Sequence, residues 1–142
     1  MKFDSLEIDF RDFEVKDKSQ ILEWLTEANP QSEISNYISK FDELIKSDES
    51  KIIIATHNNV LIGFVAGHVD MQSKVGILNL IYVTPEYRGN YLGKELLNLL
   101  EDGFKDKGCK TALSINIKDE SILEFLKGMN YQSETRLSKT LN

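Results

Sequence analysis

"YRGNYLGKELLNLL", residues 87–100, sets two glycines, an arginine and an asparagine directly ahead of an apolar helical run. Leu92, Leu96, Leu97, Leu99 and Leu100, with Phe104 beyond, predict a helix from about Asn90 to Lys107, stopped by Gly108. A helix start leaves backbone N–H groups without internal partners, and the helix dipole adds partial positive charge there. Successive N–H groups converging on one point bind a phosphate. Gly89 and Gly93 let the backbone approach such an anion with no Cβ in the way. The plain alternative is an ordinary strand–loop–helix junction, where the glycines serve only the connection.

Outward from this loop, the preceding "VGILNLIYV" (75–83) reads as a buried strand. Before it, "KIIIATHNNVLIGFVAGHVD" (51–70) places two β-branched runs around Asn58-Asn59. Asparagine tolerates the positive φ of a two-residue hairpin turn, so two antiparallel strands are expected here. The strand at 75–83 is then expected to pair antiparallel with the second arm.

Nearer the start, "LEIDFRDF" (6–13) alternates apolar and charged residues, as a strand does. Asp17 opens "DKSQILEWLTEA" with Gln20 three residues on, the pattern of a capping box, and Ile21, Leu22, Trp24, Leu25 and Ala28 share a helical face. Asn29-Pro30 reads as a cap followed by proline at the first position of a second helix. That helix carries Ile34, Tyr37, Ile38, Phe41, Leu44 and Ile45 at helical spacing. After the central helix, "CKTALSINI" (109–117) predicts a strand, and Asp119 caps a short helix in "ESILEFLKGM". Asn130 takes the left-handed position after it, and "YQSETRLSKTL" closes with a strand. The order is β-α-α-β-β-β-α-β-α-β, an α/β layer with mixed, mostly antiparallel pairing in a central sheet flanked by helices.

At 142 residues the chain is expected to form a single domain. The lone Cys109 has no partner for an internal disulfide. The opening "MKFDSLEIDF" carries acids where a secretory signal needs an apolar stretch, and no apolar run is long enough to span a membrane. These features give the expectation of a cytoplasmic protein with no membrane partner. The net charge of −6 argues against a nucleic-acid binder, whose footprint is basic. No metal is expected. The final strand offers an edge on which two copies could pair as a homodimer.

This order of elements, with Val83-Thr84-Pro85-Glu86-Tyr87-Arg88-Gly89 after the central strand and Gly93 beyond, resembles the GNAT N-acetyltransferase superfamily. Gly93 stands as in the family's Arg/Gln-x-x-Gly-x-Gly/Ala loop, and "ILEFLKGMNY" (122–131) resembles its closing segment. The resemblance covers nearly the whole chain. It implies that acetyl-CoA (coenzyme A) is the cofactor and an amine the substrate. It implies that backbone at Ile81, Tyr82 and Val83 holds the pantetheine arm. Arg88, Gly89, Asn90, Tyr91, Leu92, Gly93 and Lys94 would hold the pyrophosphate. Tyr91 departs from the family, which most often has the loop's first glycine there.

The family transfers acetyl directly to an amine, and many members use a strand glutamate as base and a tyrosine in the last helix. The resemblance puts the glutamate at Asn79, its alternative on the next strand near Ser114, and the tyrosine at Leu126. None of these three is a useful proton carrier. Tyr82 and His68 are the remaining candidates besides Asn79, although an aromatic at a strand end and a lone strand histidine are more often structural. His57 in the hairpin reads as solvated, Tyr131 as core or rim, and Cys109 as a small core residue. Glu33, Tyr37 and Phe41 lie on the helix pair that forms the acceptor-side wall in the family. A catalytically weak or inactive acyl-CoA-binding regulatory module is the alternative to an enzyme.

Overall fold

The computed structural model describes residues 7–89, 91–114, 120–133 and 137–141. Its strands are β1 (Ile8–Asp12), β2 (Ser50–His57), β3 (Val60–Asp70), β4 (Val75–Val83), β5 (Thr111–Ser114), β6 (Gln132–Ser133) and β7 (Leu137–Thr140). Its helices are α1 (Lys18–Ala28), α2 (Gln31–Lys46), α3 (Leu92–Asp106) and α4 (Glu120–Gly128). The strands form one sheet in the order β1-β2-β3-β4-β5-β7-β6. Only the β4–β5 pair is parallel; the others are antiparallel.

The hairpin between β2 and β3 turns on Asn58 and Asn59, at φ 51° and 68°. Their short polar side chains tolerate the left-handed region, which a tight hairpin needs at both central positions. Alternation along β2 then sends Ile52 and Ile54 to one face and Ile53 and Ala55 to the other. The first face packs on Ile21, Trp24, Leu25, Phe41 and Leu44 of α1 and α2. The second packs on Leu96, Leu97, Leu100 and Phe104 of α3 and on Leu126 of α4. Helix α3 lies close because β4 carries Gly76, where a Cβ would run into the Phe104 ring.

Three local expectations need correction. Asp17 is the N-cap residue of α1, as expected, but its side chain makes no capping bond to that helix; it closes a capping box with Glu14 around a short 3-10 turn, Val15–Asp17. Its buried carboxylate accepts hydrogen bonds from Arg11 at 2.7 and 2.8 Å and from the Glu14 N–H at 2.8 Å. The Arg11 hydrogen bond holds the Asp17 carboxyl below the usual carboxylate range, against the opposing effect of burial. Pro30 is itself the N-cap of α2, and Asn29 donates back to the Leu25 carbonyl at 2.9 Å.

The closing segment divides into β6 and β7, which pair with each other, so the order gains a strand. Strand β7 is interior, between β5 and β6, and the sheet edge on that side is the two-residue β6. Among the described residues, the final strand therefore does not form the sheet edge. The expected cap at Asp119 lies outside the described residues, whereas Asn130 does take the left-handed conformation, at φ 72°. Among the described residues, no helix is long and apolar enough to cross a membrane.

Candidate acyl-CoA and amine site

The site begins with one extra residue in β4. In the β3–β4 ladder Ala66 faces Leu80 and Gly67 faces Leu78, so Asn79 has no partner opposite it. Such a bulge bends a strand and re-aims the side chains beside it. Among the described residues the β4–β5 ladder runs as far as Leu78 and Ser114. Beyond that point β4 has, among the described residues, no strand neighbour on the β5 side. Its backbone from Asn79 to Val83 forms one wall of a cavity of about 1080 Å³. A strand that lines a cavity can bond an extended, amide-bearing ligand through its peptide groups.

At the upper end of that edge, Pro85–Tyr87 forms a 3-10 turn, and the chain then passes through two left-handed residues, Gly89 at φ 82° and Tyr91 at φ 65°. Tyr91 is the N-cap of α3 and is 72% exposed, so the position usually filled by glycine holds a strained aromatic that reaches into solvent. The first backbone bond into α3 runs from the Glu95 N–H to the Tyr91 carbonyl. The N–H groups of Leu92, Gly93 and Lys94 therefore have no helical partner. Arg88 folds back: its Nε donates to the Val83 carbonyl at 2.8 Å, and its guanidinium lies 5.5 Å from the Tyr82 ring centroid. Gly89, Tyr91, Gly93 and Lys94 all line the cavity with Ile81, Tyr82 and Val83. Asn90 lies outside the described residues.

The opposite wall comes from the helix pair. Glu33 and Tyr37 of α2 line the cavity, whereas Phe41 is fully buried against Phe13 and Phe64 and takes no part. Tyr82 stacks on Trp24, with ring centroids 5.0 Å apart, which fixes its ring in the cavity wall. From α4, Phe125 faces the cavity. Leu126 does not: it is fully buried in the core on the α3 side, so the residue aligned with the family's tyrosine points away from the site. A one-residue offset on a short helix that is apolar on several sides left no signal by which the sequence could separate Phe125 from Leu126.

Of the candidate proton carriers, Asn79 is on the cavity wall and His68 stands behind it, with Nδ1 of His68 2.7 Å from Oδ1 of Asn79. Because an amide oxygen only accepts, Nδ1 carries the hydrogen and Nε2 is the bare nitrogen of the neutral ring. The Asn79 amide nitrogen is left to donate elsewhere. Ser114 is buried and its hydroxyl has no hydrogen-bond partner among the described residues. Cys109 is core, and burial pushes its thiol above the ordinary range.

Two residues read as ordinary have partners the sequence did not reveal. His57 is not solvated; it is held between Tyr87 and Glu7 and its side chain is only 16% exposed. Tyr131 is buried and donates to Glu101 at 2.9 Å, while Lys139 approaches the other carboxylate oxygen at 2.9 Å. Both contacts join positions about thirty residues or more apart, beyond the reach of local patterns.

Residues 18–130 match the family model described as "Acetyltransferase (GNAT) family". Among curated proteins no sequence matches. Solved structures that share the fold include a GNAT-family acetyltransferase from Staphylococcus aureus, 13% identical, with a TM-score of 0.78 over 95% of this chain and 99% of that one. A ribosomal-protein alanine N-acetyltransferase from Escherichia coli aligns at 16% identity and a TM-score of 0.76, covering 95% of this chain and 94% of that one. The PaiA N-acetyltransferase of Thermoplasma acidophilum, in complex with coenzyme A, aligns at 19% identity and 0.71, covering 94% and 98%.

Proposed function

The chain belongs to the GNAT acetyltransferase family, and we propose that it is an acetyl-CoA-dependent N-acetyltransferase acting on a primary amine. The observation that carries this reading is the single cavity that Asn79 to Val83 of β4 share with the N-terminus of α3. The residues present fit the cofactor. Backbone at Ile81 and Tyr82 would bond the amide-bearing arm, while the Val83 carbonyl is already engaged by Arg88. The N–H groups of Leu92, Gly93 and Lys94 would receive the pyrophosphate, and a Cβ at Gly89 would stand in open space.

When bound, acetyl-CoA supplies an activated thioester. The chain's own work is to hold the acyl end beside Asn79 and the amine beside Glu33 and Tyr37. Asn79, its oxygen held by His68, can donate hydrogen bonds into the cavity but cannot take a proton. Neither Tyr82 nor His68 is set as a direct base: one is stacked in the wall, and the other lies behind Asn79. The amine is therefore best received already neutral. Small molecules, peptide amino termini and lysine side chains all fit the class. Thiol release from acetyl-CoA across a panel of primary amines tests the reading. Amine-dependent release supports it.

The second reading, an acyl-CoA-binding regulatory module, rests on the amide at Asn79 and the apolar Phe125 on the cavity wall, neither of which titrates. Stabilisation by acetyl-CoA with no release on any amine would favour it and sink the first.

A further inference from the structure

We infer that His57 and Glu7 are positioning residues that hold the acyl-CoA loop in its binding conformation through Tyr87; this rests on the reading that residues 88–94 receive the pyrophosphate. Tyr87 ends the 3-10 turn directly before Arg88 and Gly89 and is one of the residues that line the cavity. Its hydroxyl bonds Nδ1 of His57, and Nε2 of His57 lies 2.8 Å from a Glu7 carboxylate oxygen. An ionised carboxylate can only accept, so Nε2 carries the hydrogen; in the neutral ring Nδ1 is then bare and the phenol donates. The result is a directed chain, Tyr87 to His57 to Glu7.

The two ends of this chain belong to different kinds of structure. His57 is in the sheet, in register with Ile8 of β1 and Val60 of β3. Tyr87 belongs to a loop that continues through two left-handed residues and has no ladder to hold it. The His57 and Tyr87 rings also meet edge to face, with centroids 5.6 Å apart and planes at 85°. The contact thus fixes both the position and the rotation of the residue from which the loop departs. A loop ordered beforehand loses less freedom when the ligand docks, so affinity is gained without new ligand contacts. Glu7 acts at one remove, by selecting the His57 tautomer that accepts from the phenol.

The test compares wild type with His57→Phe, Glu7→Gln and Glu7→Ala. The readouts are the coenzyme A dissociation constant by calorimetry, the split between KM and kcat, and amide hydrogen exchange at residues 87–89 in the ligand-free protein. His57→Phe keeps the ring packing and removes both nitrogens. It should raise the dissociation constant for coenzyme A and the KM for acetyl-CoA roughly tenfold, the scale of one hydrogen bond. Exchange at 87–89 should speed up, with kcat at saturating acetyl-CoA within about twofold of wild type. Glu7→Gln retains an acceptor for Nε2–H and should bind nearly as wild type, while Glu7→Ala, at an exposed side chain, should weaken binding about threefold. An unchanged dissociation constant and unchanged exchange in His57→Phe would overturn the inference, whatever happens to the melting temperature. Failure of wild type to bind coenzyme A would instead overturn the functional reading, and the exchange measurement would still decide the clamp.

Discussion

The side-chain oxygen of Asn79 lies 2.7 Å from Nδ1 of His68, and the two residues span the bulge where β4 loses its pairing register with β3. The contact holds an amide on the cavity wall at the position that the family resemblance gives to a glutamate. A positioned base is worth ~10²–10⁴-fold in rate. Proximity and preorganised dipoles contribute as much or more, so on the proposed reading an amide at this position would slow catalysis without abolishing it.

Asn79→Glu restores a carboxylate at this position and keeps an acceptor for the His68 N–H. Turnover of lysine-like amines should rise about fivefold, less than an evolved base gives because a newly placed group is seldom well aligned. Amines of low pKa should gain little. Equal gains for both classes, or none, would show that Asn79 does not face the departing proton.

Tyr91 holds φ 65° with a large side chain exposed to solvent, a conformation in which glycine has no steric penalty. Tyr91→Gly should therefore stabilise the protein by up to about 1 kcal/mol, the left-handed cost less the entropy glycine adds to the unfolded chain. Denaturant melts of the two proteins measure this. A loss of stability would mean that the Tyr91 ring, 5.7 Å from Lys94 Nζ, contributes more than the strain costs.

The Tyr131 hydroxyl is held above the ordinary phenol range first by burial, then by the charge of Glu101 and the hydrogen bond to it. The unfolded chain ionises this phenol near pH 10, so the stability it contributes is complete below that pH and falls as pH rises further. The expected slope is about −1.4 kcal/mol per pH unit above pH 10. Tyr131→Phe should lose about 1–2 kcal/mol at pH 7 and lack that part of the slope. Parallel stability curves for wild type and variant above pH 10 would contradict the assignment.

Much of this architecture was legible because it is local. Asn58-Asn59 names its turn, Asn130 its left-handed cap, and the apolar spacing after Gly89 its helix, each through a rule that acts within a few residues. What escaped was decided by competing partners or by contacts distant in sequence. Asp17 stands at the cap of α1, but Arg11 and the Glu14 N–H take its carboxylate. Strand β7 was hidden because "YQSETRLSKTL" carries no turn signal that separates it from β6. The cavity loop was readable from Arg88, Gly89 and Gly93, whereas the His57 and Tyr87 contact was not, since nothing in either segment refers to the other.

The central claim, acetyl transfer to an amine that arrives neutral, is tested most directly by a pH–rate profile of thiol release with two amines of similar shape and different pKa. A peptide α-amino group has a reference pKa of about 7.7–8.0 and a lysine side chain about 10.4. Near pH 7.4 roughly a quarter of the first is neutral and about one part in a thousand of the second, a difference of ~300-fold. The predicted result is a rate that follows each amine's own neutral fraction, with the low-pKa amine ahead and no plateau near pH 6–7. A profile that levels off near pH 6.5 whichever amine is used would contradict it, and would make His68 a titrating base.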